Sequence, residues 1–183
     1  MFKEINTLKL FFEAPAKEFN VREVARLAKT APATASNRLK EFAKQSILKH
    51  RKERMLDLYK ADLESSSYRD LKLYWTIRKL RESGLIESLK EFYLKPAVIL
   101  FGSCSKGIDT ETSDIDIAVI SEKTKEFPGR EEYGKKLKRE IQLFAVKSLK
   151  DLRNEHLISN VLNGIILEGE LIWTQMNAKE RDL

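Results

Sequence analysis

The sequence predicts an α+β protein: a helical N-terminal part closed by a β-hairpin, a helical linker, and a C-terminal α/β domain built on a small mixed sheet. Three observations carry this. Apolar residues recur at helical spacing through the first 44 residues. Two short apolar runs rich in β-branched residues, Ala97-Phe101 and Ile115-Ile120, are bounded by turn formers and read as buried strands. The net charge of +6 is uneven: residues 1–64 hold 14 Lys and Arg against 9 Asp and Glu, which leaves +1 for the remainder. The predicted divisions are 1–64, 65–94 and 95–176.

In chain order, Ile5, Leu8, Phe11 and Phe12 have helical spacing, and Pro15 stops the run. Asn20 followed by Glu23 forms a capping-box pattern for a helix Val21-Lys29, with Val24, Leu27 and Ala28 as its inner stripe. Thr30-Ala31 is a short turn, and Pro32 sits in a first-turn position that opens a third helix through Lys44. Ile47-His50 and Leu56-Ala61 alternate as strands around a charged tip, Arg51-Lys52-Glu53-Arg54. From Ser65 to Leu94 two helices are broken at Ser83-Gly84, and Tyr74 and Trp75 are packing residues. After the central strands come a polar loop (Ser121-Gly129), a charged helix (Arg130-Leu137) and a third strand, Glu140-Val146. In that strand Glu140, Gln142 and Phe144 share a face. Ser148 caps a short helix, His156-Leu162 is a further helical stripe, and Ile165-Leu167 and Leu171-Trp173 form a terminal strand pair before a frayed tail, Asn177-Leu183.

The chemistry concentrates between residues 97 and 120. Asp114 and Asp116 flank one residue of a strand, so both carboxylates face one way, about 6–7 Å apart. Acids held so close repel unless a cation lies between them, and a hard divalent cation such as Mg²⁺ or Mn²⁺ takes carboxylate oxygens. Gly102-Ser103, at the end of the preceding strand, supplies a turn where a phosphate can approach the backbone. Together these suit metal-assisted phosphoryl or nucleotidyl transfer. A Walker loop and kinase-type motifs are absent, and neither His50 nor His156 completes a zinc or triad site.

Gly102-Ser103, ten residues, then Asp114-x-Asp116 between two apolar strands resembles the minimal nucleotidyltransferases of the DNA polymerase β superfamily. Ser113 and Gly107 extend the match. The resemblance implies that Gly102, Ser103, Lys106 and Ser113 contact the triphosphate of an NTP, with ATP as the expected nucleotide. It also implies that Asp114 and Asp116 bind Mg²⁺. The family uses a third carboxylate on a later strand. Here the best-matching position is Gln142, with Glu140 one pleat repeat away, so the third position is either Glu140 or missing. Small members modify antibiotics, proteins or nucleic-acid ends, and some are antitoxins that adenylylate a partner toxin. The short chain favours a macromolecular acceptor, while a transcription regulator with a nucleotide-sensing second domain is the alternative.

The N-terminal helix, short turn, helix and hairpin resemble a winged helix-turn-helix domain. That resemblance implies duplex DNA as partner, with Thr34, Ser36, Asn37, Arg38 and Lys40 toward the major groove and Lys49, Arg51, Lys52 and Arg54 toward phosphates. Such domains often pair as homodimers, and some serve as protein-docking modules instead. No 18-residue apolar run or signal peptide is evident, so no membrane partner is expected, and the single cysteine, Cys104, fits a reducing cytoplasm.

Overall fold

Helix α1 (Phe2–Glu13) presents Leu8, Phe11 and Phe12 at helical spacing, and all three are buried. The computed structural model describes residues 2–172. A two-residue strand, β1 (Phe19–Asn20), leads into α2 (Val21–Leu27). The capping box forms as the sequence specifies: Asn20 Oδ1 accepts the Glu23 N–H at 3.0 Å, and Glu23 Oε2 accepts the Asn20 N–H at 2.9 Å. The helix stops earlier than its apolar pattern predicts, because Lys29 turns left-handed (φ 50°) and the Thr30 N–H closes on the Ala25 carbonyl. Its buried edge is Val24 and Ala25, whereas Leu27, expected in the stripe, is 44% exposed.

Pro32 opens α3 (Pro32–Lys44), whose buried residues are Ala35, Leu39 and Phe42. Strands β2 (Leu48–Glu53) and β3 (Leu56–Ala61) pair antiparallel, and β1 joins on the other side to give the order β1-β3-β2. The strand β2 outruns its predicted end at His50. Arg51 and Lys52 lie in the ladder opposite Leu58 and Asp57, and the turn is only Arg54-Met55, with Arg54 at φ 54°. A hairpin exposed along one strand accepts charged residues, so charge alone did not mark the turn.

The chain divides into two units, Met1–Trp75 with Gly107–Glu111, and Thr76–Lys106 with Thr112–Leu183. The division falls inside α4 (Ser66–Ser83). In the first unit, α1, α2, α3 and the hairpin enclose one core, which Tyr68 completes by donating its hydroxyl to the Phe11 carbonyl at 2.9 Å. Residues 107–111 join this unit through two contacts. The ammonium of the buried Lys72 donates to the Asp109 backbone carbonyl and lies 3.6 Å from its carboxylate. Gly107 (φ 64°) rests against the Arg69 carbonyl, where a side chain would collide.

The second unit continues with α5 (Leu85–Tyr93) and the strands β4 (Ala97–Phe101) and β5 (Ile115–Ile120). It goes on through α6 (Arg130–Leu137), β6 (Ile141–Val146), a 3₁₀ turn Leu149–Leu152, α7 (Glu155–Leu162) and β7 (Ile165–Glu168). The small mixed sheet has the order β6-β5-β4-β7. β4 pairs antiparallel with β5 and β7, while β5 and β6 are parallel, with α6 as the crossover that parallel pairing requires. Val98, Leu100, Ile117 and Val119 pack on one face against Leu85, Ile86, Leu89 and Leu137. Ile99, Phe101, Ala118 and Ile120 pack on the other against Leu149 and Val161. Both faces are covered, which explains the unbroken apolar runs of the sequence. The predicted partner strand at 171–173 does not form across Leu171 and Ile172, and β7 pairs with β4 instead. Trp173 and the tail from Asn177 lie outside the described residues.

Leu100 is fully buried in the central strand. Leu100→Ala should cost the second unit about 2–5 kcal/mol, the range for a large-to-small change in a packed core. Urea unfolding followed by circular dichroism checks this, and a loss under about 1 kcal/mol would mean that the sheet core relaxes around the void.

Candidate nucleotide and metal site

The antiparallel register places Phe101 opposite Asp116, so the turn that leaves β4 lies beside the aspartate strand. Gly102 has φ 71°, and a methyl group on it would run into Oδ2 of Asp116 and stand 3.2 Å from its Cγ. Glycine is thus required twice, for the left-handed backbone and for the carboxylate pressed against it. The turn is closed by the Ser105 hydroxyl donating to the Gly102 carbonyl at 2.9 Å and by the Lys106 N–H reaching the Ser103 carbonyl at 3.2 Å. Ser103 is half-buried beside it, and the Lys106 side chain is exposed.

Asp114 stands just before β5 and Asp116 within it. The carboxyl of Asp116 is pushed above its usual range, first by burial and second by the negative charge of Asp114, with Arg139 opposing. Parallel pairing sets Gln142 opposite Asp116, and the Gln142 amide nitrogen donates to Oδ2 of Asp114 at 2.6 Å. Glu140 precedes β6, and its backbone carbonyl accepts the Ile115 N–H at 2.9 Å. Its side chain is exposed and lines an open groove of about 530 Å³ together with Arg130, Lys135 and Lys138 of the α6 end. Ser113 contributes its carbonyl to Arg139 Nε at 2.6 Å. Among the described residues no group of three or more His, Cys, Asp or Glu side chains could hold a metal. The donor set is therefore two carboxylates, which fits a hard cation that takes its remaining ligands from the phosphates of a nucleotide.

The N-terminal candidates separate. On α3, Thr34, Asn37 and Lys40 are exposed and Ser36 is half-buried. Arg38 turns inward and donates to the Thr7 hydroxyl at 3.1 Å. On the hairpin, Arg51 forks onto Glu18 at 2.6 and 2.7 Å and also reaches Glu53 at 2.6 Å. Lys49 lies 3.2 Å from Asp62 and 3.5 Å from Glu64. Lys52 and Arg54 are exposed. The pairing of Arg51 spans 33 residues and was invisible to a charge count. The sequence reading also missed Arg139, because a single cation ahead of a strand carries no spacing signal.

The raised carboxyl of Asp116 sets a sign for stability. A carboxyl raised on folding contributes stability that is present below its unfolded value and lost as pH rises through its folded one. Asp116→Asn should therefore make the metal-free protein more resistant to urea at pH 7.5, and the gain should shrink as pH is lowered toward 4. A gain that does not change with pH would assign the effect to packing rather than charge.

Residues 82–162 match the family model of the nucleotidyltransferase domain. No curated protein and no solved structure matches the chain. No described helix is long and apolar enough to cross a membrane. The segment that holds the glycine–serine turn, both aspartates and Gln142 thus matches the nucleotidyltransferase domain family.

Proposed function

We propose that the protein transfers a nucleoside monophosphate from an NTP, with ATP favoured, to a macromolecular acceptor in a reaction dependent on Mg²⁺ or Mn²⁺. The observation that carries this is Gly102 pressed against Asp116, with Asp114 beside it: a phosphate-admitting turn and two like-charged carboxylates in one place. Asp114 and Asp116 would hold the cation, which when bound would neutralise charge on the triphosphate. Gly102 and Ser103 would seat the phosphates, with Lys106 and Ser113 on the same loop. The acceptor is proposed as macromolecular, with a partner toxin adenylylated by an antitoxin as one instance.

A second reading draws on Gln142. An amide donates to Asp114 but cannot accept a proton from an attacking hydroxyl. This favours a nucleotide-sensing regulator with weak transfer. Incubation with α-labelled ATP and Mg²⁺ in cell extract separates the two. Label on an acceptor that is lost in Asp114→Asn/Asp116→Asn supports transfer. Gln142→Asp should raise labelling while changing ATP affinity by less than about tenfold. Tight ATP binding with no label in either form supports the sensor.

The first unit supports a winged helix-turn-helix reading through its three helices and exposed hairpin, with duplex DNA as the proposed partner and a homodimer as the proposed binding form. If Lys52 and Arg54 meet phosphates, their double replacement by Ala should flatten the log K against log salt slope by about 2. Arg51→Ala should add little, since Glu18 and Glu53 already neutralise it. An unchanged slope in the double variant would remove the hairpin from any DNA interface.

A further inference from the structure

We propose that Arg139 is a positioning residue that sets the aspartate pair and the glycine–serine turn in fixed relation to each other, an inference that rests on the nucleotide-site reading above. Arg139 follows α6, where Lys138 adopts φ 57° as the helix cap and the Arg139 N–H bonds the Gly134 carbonyl at 3.1 Å. This turn directs the half-buried guanidinium toward the start of β5. Its Nε donates to the Ser113 carbonyl at 2.6 Å, and Nη2 donates to the Asp114 carbonyl at 3.0 Å. The same Nη2 lies 3.2 Å from Sγ of Cys104, which itself donates to the Asp114 carbonyl at 3.4 Å. Cys104 is fully buried and is the second residue after Gly102. One planar fork therefore ties together the chain entering the aspartate strand and the chain leaving the glycine turn.

These hydrogen bonds go to backbone carbonyls and sulfur, while the Asp114 carboxylate accepts from Gln142. A guanidinium makes several bonds in fixed directions, whereas a lysine ammonium is a single point charge on a flexible stem. The fork therefore fixes geometry in a way that charge alone would not. Groups that orient metal ligands through such contacts change metal affinity by about 10–100-fold when removed.

Two variants and two readouts test this. Arg139→Met keeps the stem, and Arg139→Lys keeps the charge. Hydrogen exchange should quicken at 103–106 and 113–115 in both variants, with the β4 core amides unaffected. Mn²⁺ and Mn²⁺–ATP titrations should show affinity at least about tenfold weaker in Arg139→Met, and Arg139→Lys should recover less than half of that loss on a logarithmic scale. Full recovery by Lys would overturn the proposal in favour of a purely electrostatic role. So would unchanged exchange at both segments, or uniformly faster exchange through the sheet, which would mark a general loss of stability. If exchange responds locally while the wild type binds neither Mn²⁺ nor ATP, Arg139 stands as the tie between the two segments and the nucleotide reading of the site falls.

Discussion

The register between β4 and β5 is the constraint on which the site depends. Phe101 opposite Asp116 brings the turn after β4 against the aspartate, and only glycine at 102 tolerates that approach. Val98, Ile99, Leu100, Ile117, Ala118 and Val119 are all fully buried, so both faces of the pair are fixed by packing. A slip of one residue would move Asp114 and Asp116 from the face they share with Ala118 and Ile120 to the face of Ile117 and Val119, away from the glycine turn. The hydrophobic effect thus sets the register, and the register sets the chemistry.

The second consequence is electrostatic. Two half-buried carboxylates share one face, and the Asp116 carboxyl is displaced upward, first by burial and second by the Asp114 charge. The molecule answers this charge locally, with the Arg139 guanidinium behind the backbone and the Gln142 amide in front of Asp114. Neither group occupies the space between the carboxylates as a cation would.

Most of the second unit was legible because buried strands and their bounding turns leave a strong local pattern. AVILF and IDIAVI could be little else, and the glycine and aspartates between them carry a spacing that can be read directly. What was not legible depended on contacts distant in sequence. The pairings of Arg51 with Glu18 and of Arg38 with Thr7 join residues that only tertiary structure brings together. Leu27 misled for a different reason: α2 is seven residues long, too short for its periodicity to decide which edge is inward. The pairing of residues 107–111 with the first unit rests on Lys72 and Asp109, 37 residues apart, and had no sequence signal either.

The open third position at the site narrows to a question of one functional group. Glu140 and Gln142 share a pleat parity, so the sequence left both in place. Register resolves their surroundings: Gln142 stands opposite Asp116 and bonds Asp114, whereas Glu140 lies ahead of the strand with its side chain along the α6 groove. A third carboxylate at 142 would add a further charge to a pair that already repels, and would then need a cation simply to be tolerated. The amide instead donates a hydrogen bond to the Asp114 carboxylate. An amide at 142 cannot accept a proton from an attacking hydroxyl. On the proposed reading, nucleotide binding would rest with the turn and the aspartates, and position 142 would bear on the chemistry.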